Sequence, residues 1–94
     1  MAAICRLGDI STGHGSFPPR VNDSGSPNVF VNSMPIHRLG DHWITHCDSH
    51  SCHDGVDASG SPSVFANGRV VARIGDSISC GDMIAQGSQN VFAG

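Results

Sequence analysis

Two phrases recur three times in this chain, and the order in which they recur restricts its fold more than any other feature. GSPNVFVN (residues 25–32) returns as GSPSVFAN (60–67) and GSQNVFAG (87–94), while RLGD (6–9) returns as RLGD (38–41) and RIGD (73–76). Turn residues and apolar residues shared at matched offsets mark one structural unit used repeatedly. In SVFANGRVVARIGD, Asn67-Gly68 stands between two short β-prone runs and predicts a type I′ hairpin turn. The equivalent segment NVFVNSMPIHRLGD has Asn32-Ser33 followed by Met34-Pro35, which predicts a longer turn or one of another type. The remaining copy is split, its first half forming the C-terminus and its second half, AICRLGD, the N-terminus. Its hairpin is completed only if the two chain ends pair. The permuted order therefore predicts three quasi-equivalent hairpins closed around an approximate three-fold axis, with Gly94 near Met1 and no free strand edge.

Composition supports the same class. All acidic residues are Asp and all basic ones Arg, so the usual solvent-side helix formers Glu and Lys are missing, while Gly (12) and Pro (5) are plentiful. An all-β domain spanning 1–94 is expected. A chain of 94 residues with four Phe, one Trp and no Tyr has a thin core and needs a staple: a disulfide, a metal or a partner. A net charge of −3 without a basic run gives no footprint for nucleic acid. The N-terminus lacks a signal-peptide-like apolar stretch, so synthesis in a reducing cytoplasm is expected, where clustered cysteines more often hold metal than each other.

The three Gly-Asp pairs that end the units launch connecting segments over 10–24, 42–59 and 77–86, read here as loops. His14 lies five residues after Asp9, His46 five after Asp41, and Cys80 four after Asp76. Equivalent positions are equidistant from a three-fold axis, so these donors can meet on it. Zinc takes four N or S donors in a tetrahedron. The fourth is expected from the longest segment, within HRLGDHWITHCDSHSCHDG (37–55), with His53 first and His50 or Cys52 in reserve. The expected metal set is thus His14, His46, His53 and Cys80, with one structural zinc per chain. His37, His42 and His50 read as exposed loop or strand residues, and Cys5 as a small buried hydrophobe. Cys47 and Cys52 could close a disulfide, though so short a ring stabilises only modestly. Phe17-Pro18-Pro19 reads as a stiffener of the first segment, Trp43 as a core or loop anchor, and Asp9, Asp41 and Asp76 as turn formers. The pairs Val29-Phe30, Val64-Phe65 and Val91-Phe92 read as core or docking residues.

Gly-Ser-Pro-x-Val-Phe-x-Asn, Arg-x-Gly-Asp, Thr12-Gly13-His14-Gly15 and Ser79-Cys80-Gly81 together resemble the PAAR-repeat proteins, the sharpened tips of contractile injection machines. The eponymous tetrapeptide is Pro35-Ile36-His37-Arg38, Val70-Val71-Ala72-Arg73 and Ala3-Ile4-Cys5-Arg6 here. Many members carry His where this chain has Asp76, and His46 is the evident substitute. The resemblance implies a small cone with a zinc near its apex, held by three His and one Cys. It implies one copy capping a trimeric β-helical spike, either VgrG of type VI secretion or a phage central spike. It further implies transient contact with a target membrane that is punctured mechanically, and it admits noncovalent effector cargo. Because the chain ends at GSQNVFAG, no toxin domain is expected behind the tip.

Three other readings compete. A zinc hydrolase would need a general base; the usual Glu is absent, which leaves the role to an Asp. A zinc-finger-like module would show paired ligands and more basic residues. A disulfide-stabilised secreted binding module would have oxidised cysteines. The expectation is a structural protein and not an enzyme.

Overall fold

Where two consecutive residues with positive φ separate short β-prone runs, the chain turns back on itself. The computed structural model describes residues 1–94 and contains strands and turns but no helix. Eight strands follow in order: β1 (Ala2–Ala3), β2 (Phe30–Val31), β3 (Met34–Pro35), β4 (His42–Cys47), β5 (Cys52–Val56), β6 (Phe65–Ala66), β7 (Arg69–Val70) and β8 (Phe92–Ala93). They pair antiparallel as β1 with β8, β2 with β3, β4 with β5 and β6 with β7. The ends of the chain meet, with Ala2 opposite Ala93 and Ala3 opposite Phe92. Asn67 (φ 56°) and Gly68 (φ 77°) make the two-residue turn expected between β6 and β7. Asn32 (φ 54°) and Ser33 (φ 65°) make the same turn between β2 and β3. The longer turn expected there is thus not found, because Ser33 tolerates the left-handed region well enough for the shared register to prevail.

The hairpins are joined by backbone bonds that repeat from copy to copy. Cys5 N donates to Ala72 O (2.9 Å), Ala72 N to His37 O (2.9 Å) and His37 N to Cys5 O (3.0 Å), closing a ring. One step outward, Leu7 N donates to Pro35 O, Leu39 N to Val70 O and Ile74 N to Ala3 O. In every Arg-x-Gly-Asp copy the Asp amide donates back to the Arg carbonyl at 3.0 Å, across a glycine with φ between 84° and 89°. The Arg then folds over its own turn. Nε donates to Asp Oδ2 and Nη2 to Oδ1 in Arg6–Asp9, Arg38–Asp41 and Arg73–Asp76. The aspartates therefore do more than form turns: each pairs with a guanidinium in a two-pronged grip. The remaining Nη2 bond reaches Gly87 O, Gly25 O and Gly60 O respectively. A side chain at Gly60 would place its Cβ 2.5 Å from Val71 O, so this close approach requires glycine.

The core has two parts. Ile4, Val31, Ile36, Ala66, Val71 and Ala93 form one cluster within the hairpins. Cys5, Trp43, Ala72, Ile78 and Ile84 form the other beneath the connecting segments, with Cys80 packed against it. Ile4 and Val71 face the first cluster and their neighbours Cys5 and Ala72 the second, as strand alternation requires. Trp43 is the anchor expected, and Cys5 the expected small buried residue. Two expectations fail here. Residues 42–59 contain the longest hairpin, β4–β5, where a register shift between Trp43 and His46 interrupts the alternation of HWITHC and leaves both residues buried. His37, read as exposed, is fully buried at the position equivalent to Cys5 and Ala72, its ring edge-on to Trp43 and its Nδ1 bonded to Ser24 O.

Asp57 is the one carboxyl in this interior with no hydrogen bond to either oxygen. Burial, reinforced by Asp76 and Asp41, pushes it up to about 8. In the unfolded chain it ionises at about pH 4. A carboxyl raised in the fold favours folding fully below that value, and the contribution is lost as pH rises through 8. Asp57→Asn is therefore expected to gain in unfolding free energy, measured with urea, over the native chain as pH goes from 5 to 8, by at most about 1.4 kcal/mol per pH unit. A difference that stays constant over this range would mean that Asp57 is ionised in the fold.

Candidate metal centre

Three separate segments supply the donors. Gly13 (φ 73°) opens a tight turn in which His14 and Phe17 exchange backbone hydrogen bonds, at 3.1 and 2.9 Å. A Cβ at Gly13 would lie 2.7 Å from Phe17 O, so the turn that aims His14 has no room for a side chain there. His46 and His53 lie directly opposite on β4 and β5. Cross-strand partners share one face of a sheet, which brings their rings together. Cys80 sits in a turn closed by Gly81 N donating to Ile78 O at 2.9 Å. The donor atoms of His14, His46, His53 and Cys80 all lie within 4.8 Å of one another.

The geometry suits a cation better than a hydrogen-bond network. His53 Nε2 is 2.7 Å from His46 Nε2 and 3.0 Å from His14 Nε2. One ring nitrogen faces two others, and its single proton or single lone pair is poorly matched to both. His46 Nδ1 lies 2.8 Å from Pro18 O and donates to it, which leaves the Nε2 lone pair directed at the cluster. Burial, then the charges of His46, His14 and Arg20, hold His53 below the ordinary imidazole range and so favour its neutral, metal-binding form. Zinc bonded at 2.0–2.3 Å has tetrahedral edges of about 3.3–3.6 Å. The donor separations, from 2.7 Å up to 4.8 Å, span that value. Three imidazole nitrogens and one sulfur are a donor set zinc favours.

Two neighbours were not legible as part of this site. Phe17 lies against all three rings, its centroid 5.0 Å from His14, 4.9 Å from His46 and 4.1 Å from His53, and covers one side of the cluster with an apolar face. Arg20 is buried, with Nη2 donating to Cys80 Sγ at 2.8 Å and Nη1 to His53 O at 3.3 Å. It was the single arginine in the three connecting segments, the one hint the sequence offered. Its Nε stands 4.0 Å from the buried Asp82. Burial acts most strongly on Asp82 and pushes it up, yet bonds from Ser11, Thr12 and the Met83 amide, with the charge of Arg20, leave it below the usual carboxylate range. Of the fourth-donor candidates, His53 is the one brought into the cluster. His50 is exposed on the β4–β5 turn, and Cys52 is joined to Cys47 in a disulfide. That disulfide corrects the expectation that the clustered cysteines would hold metal instead of each other. His42 lies outside as well, between Asp23 (2.7 Å) and Asp54 (2.9 Å).

A family model described as PAAR motif matches residues 7–86. No curated protein matches the chain.

Replacing Arg20 by Met keeps the stem and removes the charge. The loss is expected at about 3–5 kcal/mol in urea unfolding, because Asp82 is left buried without a cation. Adding Asp82→Asn should recover part of it. Strictly additive losses in this double-mutant cycle would show that the pair is not coupled.

Proposed function

The chain belongs to the PAAR-motif family, which is associated with the spike tips of type VI secretion and phage machinery, and on this footing we propose that it caps a trimeric β-helical spike and sharpens it for membrane puncture. The observation that carries the reading, beside the family, is a set of three exposed phenylalanines at equivalent hairpin positions. Phe30, Phe65 and Phe92 are 55 %, 59 % and 49 % exposed, although their strand neighbours Val31, Ala66 and Ala93 are buried. Three like apolar contacts offered by one chain suit a trimeric acceptor, each hairpin meeting one subunit, so that one copy serves three subunits.

His14, His46, His53 and Cys80 would hold a structural zinc. Four protein donors fill a tetrahedron, which favours a closed structural site over a hydrolytic one that keeps a position for water. The metal would supply a rigid cross-link between three segments otherwise held by short backbone pairings and the second apolar cluster. The residues themselves orient it. Pro18 O fixes the His46 tautomer, Phe17 covers one side of the cluster, and Arg20 ties the Cys80 turn to the β5 backbone. We place synthesis in the cytoplasm and assembly at the spike end, with delivery across the target envelope and room for a noncovalent effector.

Purified chain is expected to hold about one zinc by elemental analysis, and His46→Ala to lose it. Mixed with a VgrG-type or phage-type trimeric spike, one copy should bind per trimer, and the triple change Phe30→Ser, Phe65→Ser, Phe92→Ser should abolish binding without removing zinc. Binding that survives the triple change would dismiss the docking face, and a metal-free native chain the structural zinc.

A further inference from the structure

The end of the β4–β5 hairpin joins two kinds of chemistry that the function above uses only in part. His46 pairs with His53 across the strands, and the next pair outward, Cys47 with Cys52, is a disulfide. The pairing register shifts between Trp43 and His46, immediately inward of the two histidines. The donor pair thus stands between an irregularity on one side and a covalent link on the other. Beyond the disulfide, the turn is held by Asp48, which accepts from the His50 and Ser51 amides at 2.8 Å and donates its own amide to Ser51 O at 2.9 Å. His50 and Ser51 are exposed, so water competes for these bonds; the link between Cys47 and Cys52 is the one that water cannot replace.

We propose that the Cys47–Cys52 disulfide positions His46 and His53 for the metal, so that metal retention depends on the redox state of these two sulfurs. This rests on the metal reading above. Groups that orient metal ligands typically change affinity 10- to 100-fold when removed. Here the orienting group is a bond to the residue beside each ligand, and losing it lets two of four donors separate together. Both sulfur-bearing residues are exposed, so a reductant can reach them. A dithiol reductant breaks the S–S bond by exchange, leaving Cys47 and Cys52 as thiols and itself becoming a cyclic disulfide, with protons conserved. Linkage makes the effect reciprocal: a metal that prefers the oxidised chain makes its disulfide harder to reduce by the same factor. The centre would be tight in an oxidising surrounding, such as the outside of a cell, and looser in a reducing one.

The test compares zinc affinity, by competition with a chromophoric chelator, in three forms of the full chain: oxidised, reduced by a trialkylphosphine, and Cys47→Ser/Cys52→Ser. In the reduction the phosphine is oxidised to its oxide with oxygen from water, whose two protons go to the thiols. Affinity is expected to fall roughly 10- to 100-fold in both disulfide-free forms. Equal affinity in all three forms overturns the proposal and leaves the metal reading standing. Tight binding by the reduced chain alone would mean that the freed thiols join the metal, which overturns the positioning role of the disulfide. No zinc on the oxidised chain overturns the metal reading, and this inference with it. A second measurement needs no variant to fold. In a glutathione buffer of fixed ratio, alkylation and peptide mapping score Cys47 and Cys52 separately from the metal ligand Cys80, with and without zinc, and zinc should shift these two toward the disulfide by the same factor. An unchanged balance contradicts the proposal.

Discussion

Everything in this small structure depends on closing the chain upon itself. The ring of backbone bonds through Cys5, Ala72 and His37 exists only if the segment after Met1 lies beside its two equivalents, and that segment is held there by pairing β1 with β8. Two-residue strands are too short to be stable in isolation. They persist because each is bonded to its hairpin partner and, one or two residues further on, to the neighbouring unit. Cooperativity here is topological. Releasing either terminus would undo one hairpin, open the ring and expose the first apolar cluster together.

The interior explains why so many polar groups are committed to specific partners. Buried polar or charged residues (14) outnumber buried apolar ones (11), the reverse of an oily core. Such groups stabilise only when paired. The three Arg–Asp grips, the buried serines at 26, 61 and 88 that receive backbone amides three residues on, and the bond from Asn22 to Arg6 O meet that requirement. Near Arg20 and Asp82 the pairing is looser, and there the chain gathers three imidazoles and a thiol. A divalent cation in that position supplies the cross-link that thin burial does not.

Much of the site was readable because it is laid out by repetition. His14 and His46 stand at the same offset from their Gly-Asp turns and Cys80 one residue nearer, and the structure brings all three together. His53 belongs to no repeat, and its place follows instead from β4–β5 pairing, which sets it opposite His46. That hairpin reads as loop in sequence because it is crowded with His, Asp, Ser and Cys, which lack strand propensity. Burial of Trp43 and His46, on either side of a register shift in the pairing, overrides that tendency. Arg20 and Phe17 were missed for a related reason, since nothing in a local pattern says that a side chain will cross to another segment.

The sequence by itself determined the unit, its threefold recurrence and the need to join the ends, because turn chemistry and strand alternation are local properties written in neighbouring residues. Only the tertiary structure decided which histidines lie in the core, which in the donor cluster and which on the surface. His37, His46 and His50 are alike in chemistry and close in sequence, yet one packs on Trp43, one faces His53 and one meets solvent. Their fates are separated by what each faces across the fold, and that depends on contacts between residues far apart in the chain.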